Sequence, residues 1–377
     1  MRTLCVTNDF PPRPGGIQQF VHALAARLPP EEIVVYAPAW QRAREFDAEQ
    51  RFPVVRHPGS LMLPVPGVLR RARAVARAEG CDTVWFGAAA PLGLLAGPLG
   101  DVVGRAVAST HGHEIGWARL PVARQMLRRV ARDVDVMTYL GDFTGSRLTA
   151  AVGGLTTLEP LPSGVDVDVF HPGVPGDDVR RTHGLVDRPV VVCVSRVVPR
   201  KGQDVLIRAW PQIRRAVPGA ALLIVGGGPY LPRLRRLAGS VGVDADIRFT
   251  GAVPWADLPA HYAAGDVFAM PCRSRLRGLD VEGLGIVYLE AAAVGLPVVA
   301  GRSGGAPEAV VDGTTGLVVD GESVSAVATA VIDLLGDPER ARAMGRAGRD
   351  WVERAWGWDL LAARLRTTLA AGRTGQA

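Results

Sequence analysis

The chain has 377 residues, of which 48% are hydrophobic and 21% are charged, and its formal net charge is +6. This composition is typical of a globular protein and excludes a disordered or fibrous one. The length favours two domains, because a single hydrophobic core stops growing at about 250–300 residues. The positive charge is compatible with several classes of anionic partner and selects none of them.

Signals for export or membrane insertion are not found in the sequence. The amino terminus has no predicted signal peptide, and no apolar run approaches the about 20 residues that a membrane-spanning helix needs. The four cysteines lie far apart, so we expect buried thiols of a reducing compartment and neither disulfides nor a zinc site. We therefore expect a cytoplasmic protein.

Short apolar strands alternate with helical stretches along the chain. Strands are predicted at "TLCVTN", "EIVVYA", "TVWFG", "RAVAST" and "DVMTYL", and then at "PVVVCVS", "ALLIVG", "IRFTG", "DVFAMP" and "PVVA". This alternation predicts an α/β protein with two Rossmann-like domains, whose parallel sheets face each other across a cleft. A passage with Pro and Gly at 171–189 is the predicted linker. The predicted domains are 1–170 and 171–356, followed by a C-terminal helix at 357–377.

The first motif, "TNDFPPRPGGIQQF", follows the first predicted strand and opens the first helix. Gly15 and Gly16 lack side chains where backbone amides meet a helix N-terminus, which is an arrangement that binds phosphate groups. A tight turn that needs the conformational freedom of glycine explains the pair equally well. No G-x-G-x-x-G pattern is present, so the fingerprint of a nicotinamide or flavin site is missing.

The second motif, "CVSRVVPRKG", contains Lys201, which is the only lysine among the 43 lysines and arginines. Since arginine stands at every other basic position, a compact ammonium group is expected to be needed here. Arg196 and Lys201 follow the first strand of the second domain and could converge on a leaving diphosphate. Two solvated loop charges are the alternative interpretation.

The third motif, "VEGLGIVYLEAAAVG", places Glu282 in a loop and Glu290 on a helix. The amides of Gly285, Ile286 and Val287 would lie at the helix start, where anions and hydroxyl groups bind. One carboxylate could contact a sugar ring while the other accepts hydrogen bonds from a ribose diol. The apolar neighbours of Glu290 favour a partnered carboxylate over a solvated one.

These three motifs, in this order over two Rossmann-like halves, resemble the retaining glycosyltransferases of the GT4 family, which have the GT-B fold. The opening motif and the passages "STHGHEIGW" and "SRVVPRKGQD" resemble in particular the actinobacterial phosphatidylinositol mannosyltransferases that add the second mannose. The resemblance implies a hexosyltransferase that moves mannose from GDP-mannose to phosphatidylinositol monomannoside. It also implies an acceptor-binding first domain, a nucleotide-sugar-binding second domain and a C-terminal helix that packs on the first.

The resemblance also implies roles for individual residues. The expected catalytic residues are His111, Arg196, Lys201 and Glu282. The expected donor-binding residues are Gly16, Arg196, Lys201, Glu282, Gly285, Ile286, Val287 and Glu290. The diphosphate is expected near Gly16, Arg196 and Lys201. The sugar is expected near Glu282 and the ribose near Glu290. The expected acceptor-binding residues are Gln18, His113 and Glu114.

A metal site is not expected. His111 and His113 supply two imidazoles, which fall short of a zinc site without a third ligand. Asp-x-Asp pairs occur at 133/135, 166/168 and 244/246, and we interpret them as structural because they lie at strand or turn edges. Transfer is therefore predicted to need no metal ion or other cofactor.

Arginines crowd one side of the helical periods at 61–78 and 118–133. In the first segment they follow an apolar stretch, which favours docking on an anionic membrane, although an ordinary solvated helix face would have the same pattern. With the resemblance, this predicts a lipid acceptor and a peripheral protein on the inner face of the plasma membrane. The expected membrane-contacting residues are Arg70, Arg71, Arg73 and Arg77.

Two other functions fit parts of the sequence. A GT4 enzyme that uses a UDP-sugar and a small-molecule acceptor would share the three motifs. A nucleic-acid-binding protein would share the positive charge, but the arginine clusters lack interleaved aromatic residues, so no nucleic-acid partner is expected.

Overall fold

A computed structural model describes residues 1–112, 114 and 120–371. The chain forms two compact units. Unit 1 comprises Met1–Ser163 together with the C-terminal part of the chain from Trp358, and unit 2 comprises Gly164–Gly357.

Unit 1 is built on a seven-stranded parallel sheet with the strand order β3-β2-β1-β4-β5-β6-β7. Side chains alternate between its faces, so Leu4 and Val6 pack in one apolar cluster and Cys5 packs in another. The strands are β1 (Thr3–Val6), β2 (Ile33–Pro38), β3 (Val54–His57), β4 (Thr83–Phe86), β5 (Arg105–Ser109), β6 (Val136–Tyr139) and β7 (Thr157–Pro160). Its helices before residue 163 include α1 (Gly16–Ala25), α2 (Ala43–Ala48), α3 (Pro66–Ala78), α4 (Ala96–Leu99), α5 (Pro121–Asp133) and α6 (Asp142–Val152).

Unit 2 repeats this architecture with a six-stranded parallel sheet in the order β10-β9-β8-β11-β12-β13. The strands are β8 (Val190–Val194), β9 (Ala221–Val225), β10 (Ile247–Gly251), β11 (Val267–Met270), β12 (Val298–Gly301) and β13 (Gly316–Val319). The helices are α7 (Asp177–His183), α8 (Gln203–Ala216), α9 (Leu231–Val241), α10 (Leu258–Ala263), α11 (Ile286–Val294), α12 (Val324–Gly336) and α13 (Pro338–Ala355).

All ten predicted strands are present, and three further strands, β3, β7 and β13, were not predicted. Each of the three lies at an edge of its sheet. An edge strand is covered on fewer sides, so its side chains are half-buried or exposed and its sequence lacks the continuous apolar run of a central strand.

The boundary between the units lies seven residues earlier than the expected one after residue 170. Val165 and Phe170 are buried in the core of unit 2. Arg349 of α13 donates hydrogen bonds to the carbonyl groups of Val167 (3.0 Å) and Phe170 (2.7 Å). These contacts attach the segment 164–170 to unit 2.

The passage 171–189 is not the linker that its Pro and Gly content predicts. It contains α7, and Leu185, which follows that helix, is fully buried in the core of unit 2. The passage is therefore part of the folded unit, because its few apolar side chains are enough to anchor it.

The last helix, α14 (Trp358–Ala370), packs on unit 1. Its residues Trp358, Leu361 and Leu365 lie in the same apolar cluster as Phe20 of α1. Arg366 pairs with Glu32 at 2.6 Å on the rim of this contact. Across the described ranges of the chain, no helix combines the length and the apolar character needed to cross a membrane.

Candidate active site

The predicted donor-binding residues of unit 2 lie on the loops that follow β8 and β11 and in the first two turns of α11. These strands and β12 are neighbours in the sheet, so the loops at their carboxyl ends meet at one edge. The backbone N–H of Arg273 donates to the carbonyl of Arg200 at 2.8 Å, which joins two of the loops directly. Gly202 lies so close to the loop after β11 that a Cβ at this position would be 1.8 Å from the carbonyl oxygen of Pro271.

Lys201 and Glu282 form a buried ion pair, with 2.7 Å between Nζ and Oε2. Each residue is only 7% exposed. The Nε atom of Arg200 lies 3.6 Å from the same carboxylate oxygen. Sequence reasoning assigned Lys201 and Glu282 to different groups of the donor, whereas in the structure they contact each other, so a bound diphosphate would compete with Glu282 for the lysine.

Arg196 is exposed and has no ion pair among the residues that the structure describes. Its loop is nevertheless held in place, because the amide of Gln203 donates to Ser195 Oγ at 2.8 Å. On the other side the loop touches Gly226, where a Cβ would lie 2.0 Å from the Ser195 carbonyl oxygen. A fixed loop with a free guanidinium is suited to binding an anionic ligand.

Glu290 is 8% exposed and accepts a 2.6 Å hydrogen bond from the hydroxyl of Tyr262 on α10. Burial raises the pKa of the Glu290 carboxyl from 4.5 to about 7, although the Tyr262 hydrogen bond and the positive charge of Lys201 oppose this shift. Burial also raises the pKa of Tyr262 well above its ordinary value, so its hydroxyl stays protonated and donates. The partnered carboxylate is therefore present as expected, but sequence reasoning missed the tyrosine that holds it.

The start of α11 has the geometry of an anion or hydroxyl site. Gly285 has a φ of 82°, and a Cβ there would lie 2.5 Å from the ring of Tyr288. The amides of Ile286 and Val287 belong to the first turn of the helix, where N–H groups have no acceptor within the helix. Tyr288 anchors this turn by donating to the carbonyl of Met270 at 2.7 Å.

The glycine turn of unit 1 leaves open space at the start of α1. Gly15 has a φ of 156° and contacts Gln18 so closely that a Cβ would lie 2.0 Å from its Oε1 atom. A Cβ at Gly16 would meet no atom within 4 Å, so the space beside this residue at the helix start is open. Gln18, predicted to bind the acceptor, is buried and donates to Asp9 at 2.8 Å, so its amide NH2 group holds the turn.

His111 and Glu114 are bonded to each other and to the fold. The backbone N–H of His111 donates to the carboxylate of Glu114 at 2.9 Å. The ring Nε2 of His111 lies 2.6 Å from the carbonyl oxygen of Gly87. Since a carbonyl only accepts, Nε2 carries the proton. The ring also contacts the edge of Phe20, with 4.9 Å between the centroids. His113, predicted to bind the acceptor, lies outside the described residues.

At least one residue of each acidic pair has a structural partner, and Asp135 accepts a hydrogen bond from the amide of Ala106 at 2.8 Å. Asp166 accepts hydrogen bonds from the amides of Asp168 and Val169, which is a local turn. Asp246 pairs with Arg188 at 3.1 Å. Within the residues that the structure describes, no group of three or more His, Cys, Asp or Glu side chains could hold a metal ion. Metal-independent transfer stays a prediction.

Comparison with known families identifies both halves of the chain. Residues 14–169 match the model of Glycosyltransferase Family 4, and residues 177–351 match that of Glycosyl transferases group 1. This chain belongs to glycosyltransferase family 4. The resemblance seen in the three motifs is thereby confirmed.

Two curated relatives of this family 4 chain match nearly its whole length. It is 57% identical to the GDP-mannose-dependent alpha-(1-6)-phosphatidylinositol monomannoside mannosyltransferase of Mycolicibacterium smegmatis, over 98% of each protein. It is 49% identical to the GDP-mannose-dependent monoacylated alpha-(1-6)-phosphatidylinositol monomannoside mannosyltransferase of Corynebacterium glutamicum, over 98% of this chain and 97% of that protein.

Solved structures of glycosyltransferases share the fold. Anabaena Alr3699/HepE, solved with UDP, matches 98% of this chain and 99% of its own with a TM-score of 0.83 at 18% identity. WaaG, a glycosyltransferase involved in lipopolysaccharide biosynthesis, matches 99% of this chain and 100% of its own with a TM-score of 0.66 at 18% identity. The predicted GT-B class, with two Rossmann-like domains built on parallel sheets, is confirmed.

Proposed function

We propose that this family 4 enzyme is a retaining mannosyltransferase that transfers mannose from GDP-mannose to phosphatidylinositol monomannoside and so adds the second mannose. The observation that carries the proposal is the 57% identity, over 98% of both proteins, to a mannosyltransferase with this donor and acceptor. The geometry of unit 2 supports a nucleotide-sugar donor.

The site residues supply what such a transfer needs. The bond between the anomeric carbon and the diphosphate oxygen breaks, and a bond from that carbon to the acceptor hydroxyl forms on the same face of the sugar. The hydroxyl proton passes to the leaving diphosphate. Arg196 and Lys201 stabilise the negative charge that the diphosphate gains, and they act most strongly in the transition state, where that charge is largest.

The carboxylates orient the donor. Glu282 accepts hydrogen bonds from hydroxyl groups of the mannose, while Glu290 accepts them from the ribose diol, leaving its other oxygen bonded to Tyr262. Two fixed contacts, one on each side of the diphosphate, position the anomeric carbon for attack.

The proposal is tested by product analysis. We expect the purified protein, incubated with vesicles containing phosphatidylinositol monomannoside, to add one hexose to the lipid with GDP-mannose and none with UDP-glucose or UDP-N-acetylglucosamine, as measured by mass spectrometry. Chelation of divalent cations is expected to leave the rate unchanged, since no metal is expected in the site. Lipid glycosylation with a UDP-sugar alone would contradict the proposed donor.

We further propose peripheral association with an anionic membrane, such as the inner face of the plasma membrane. The segment before α3 exposes Leu61, Leu63 and Val65, which are 54%, 50% and 45% exposed. Arg70 and Arg71 on α3 are also exposed. Apolar side chains beside exposed cations match the interface of an anionic bilayer.

Arg73 has partners within unit 1, and its membrane contact stays a prediction. Its guanidinium donates to the carbonyl of Pro98 at 2.6 Å and pairs with Asp101 at 3.1 Å, so it holds α3 against the rest of unit 1. Arg77 lies 3.9 Å from the same carboxylate but remains exposed. The helix period alone could not reveal this acidic partner.

Vesicle binding compares two exposed arginines on α3 with two exposed arginines on α13. We expect Arg70→Ser/Arg71→Ser to weaken binding to anionic vesicles by about 2 kcal/mol, or about 30-fold, because each cation near such a surface contributes about 1 kcal/mol. The effect should shrink as salt rises. Arg342→Ser/Arg346→Ser on α13, which removes two exposed arginines of unit 2, is the matched control. Equal losses in both variants, measured by sedimentation, would contradict the assignment.

A further inference from the structure

The loop from Arg275 to Asp280, called here the 275–280 loop, exposes two leucines beside the candidate active site. Leu276 is 65% exposed and Leu279 is 60% exposed. The loop ends two residues before the buried Glu282. A single exposed leucine needs no explanation, but two within four residues form an apolar patch that favours contact with a ligand or partner.

The backbone of the loop is strained. Leu276 and Arg277 have φ values of 51° and 55°, although neither is a glycine. A residue with a Cβ is disfavoured in this left-handed region, and such strain persists where the surrounding contacts enforce it, most often at functional sites. Leu276 and Arg277 both expose their side chains at the tip, whereas Leu279, the other exposed leucine, has an ordinary φ of −84°.

The ends of the loop are closed by paired contacts between Arg275 and Asp280. The amide of Arg275 donates to the Asp280 carbonyl at 2.8 Å, the amide of Asp280 donates back at 3.2 Å, and the side chains pair at 3.3 Å. These contacts hold the tip in one conformation despite its strain.

Arg200 connects the loop to the candidate active site. Its Nη1 lies 3.5 Å from Asp280, and its Nε lies 3.6 Å from Glu282. The same guanidinium therefore contacts the end of the loop and the carboxylate expected to hold the transferred sugar. By contrast, Arg277 at the tip is exposed and has no ion pair within the described part of the chain.

We propose that the 275–280 loop binds the lipid part of the acceptor, with Leu276 and Leu279 against its acyl chains and Arg277 on its phosphodiester. This inference rests on the proposed function. The acceptor hydroxyl has to approach the anomeric carbon beside Glu282, so the rest of the acceptor lies near the residues that flank Glu282. An unpaired cation between two exposed leucines complements a ligand that joins a phosphodiester to apolar chains.

The leucines are tested with two forms of the acceptor. Leu276→Ser/Leu279→Ser is expected to raise the KM for phosphatidylinositol monomannoside in phosphatidylcholine vesicles at least about tenfold. The KM for GDP-mannose and the KM for the deacylated, water-soluble acceptor should not change. Val186→Ser, which removes a residue of unit 2 that is 52% exposed, is the matched control and should change none of the three.

Arg277→Ser tests the charge separately. It is expected to raise the KM for both acceptors, because both carry the phosphodiester, and to leave the KM for GDP-mannose unchanged. An unchanged KM for the acylated acceptor in the leucine variant, or an equal rise for both acceptors in that variant, overturns the proposal. Loss of self-association in the leucine variant would assign the patch to a second copy of the chain and overturn it as well.

The proposed function and the loop can fail independently. If the wild-type protein transfers no mannose to the lipid, the proposed function fails. Flotation of the wild-type protein and the leucine variant with vesicles containing the lipid, measured without donor, then still decides the loop: weaker flotation of the variant supports it, and equal flotation overturns it.

Discussion

Lys201→Met is expected to lower both the activity and the stability of the protein. Loss of the ammonium removes a charge that stabilises the leaving diphosphate, so kcat/KM with GDP-mannose should fall about 10²–10³-fold. Glu282 would be left buried without its 2.7 Å partner, which should lower the free energy of unfolding by about 3 kcal/mol. Arg200 at 3.6 Å offsets part of the cost. Initial rates and urea denaturation measure the two effects.

A double variant separates these two effects. Lys201→Met/Glu282→Gln removes both charges, so it is expected to recover most of the lost stability while activity stays low. Lys201→Arg keeps the charge but places a larger group in a site where the lysine is only 7% exposed, and we expect it to remain well below wild-type activity. Wild-type stability in Lys201→Met would show that the ion pair contributes nothing to the fold.

Glu290→Gln is expected to stabilise the protein while it abolishes tight donor binding. The carboxyl has a pKa of about 7 in the fold against 4.5 ordinarily, so ionising it above pH 7 costs up to about 3 kcal/mol at about 1.4 kcal/mol for each pKa unit. Because the pKa of Glu290 is higher in the folded state than in the unfolded state, its contribution to the free energy of unfolding of the wild-type protein falls as pH rises from 4.5 to about 7. Above that pH the contribution is constant. The glutamine variant should lack this fall, which thermal unfolding at several pH values measures.

The same shift predicts the pH dependence of donor binding. The ribose diol donates hydrogen bonds, and an ionised Glu290 accepts them better than a neutral one. The KM for GDP-mannose should therefore rise as pH falls below about 7. Tyr262→Phe removes the hydrogen bond that favours ionisation, so the midpoint of this rise should move to higher pH. The other charged group that acts on Glu290 is Lys201, which this variant leaves in place. An unshifted midpoint would mean that Tyr262 does not control the ionisation of Glu290.

The central strands, and Lys201 and Glu290 as candidate site residues, stand out in the sequence for physical reasons. Buried parallel strands need continuous apolar runs, so β1 and β8 were evident, whereas the edge strand β7 was not. Lys201 was evident because one lysine among arginines indicates a need for an ammonium group. Glu290 was evident because its apolar neighbours place a carboxylate inside the protein.

The pairing of these residues could not be predicted. Lys201 and Glu282 are 81 residues apart, and nothing in either local sequence indicates that the loops after β8 and β11 bring them to 2.7 Å. Tyr262 lies in an apolar segment where a packing role explains it fully. Arg73 pairs with Asp101 and donates to Pro98, and the helix period of α3 contains no sign of either partner. Each of these contacts depends on how the elements pack in three dimensions.

Because α14 belongs to unit 1, unit 2 is an insertion in the sequence of unit 1. The chain leaves unit 1 after Ser163 and returns at Trp358. During synthesis, unit 2 is therefore complete before the last helix of unit 1 leaves the ribosome. Until then α14 cannot cover the apolar side chains of unit 1 that it packs against, Phe20 among them. Unit 1 can therefore be completed only after the whole of unit 2 has been synthesised.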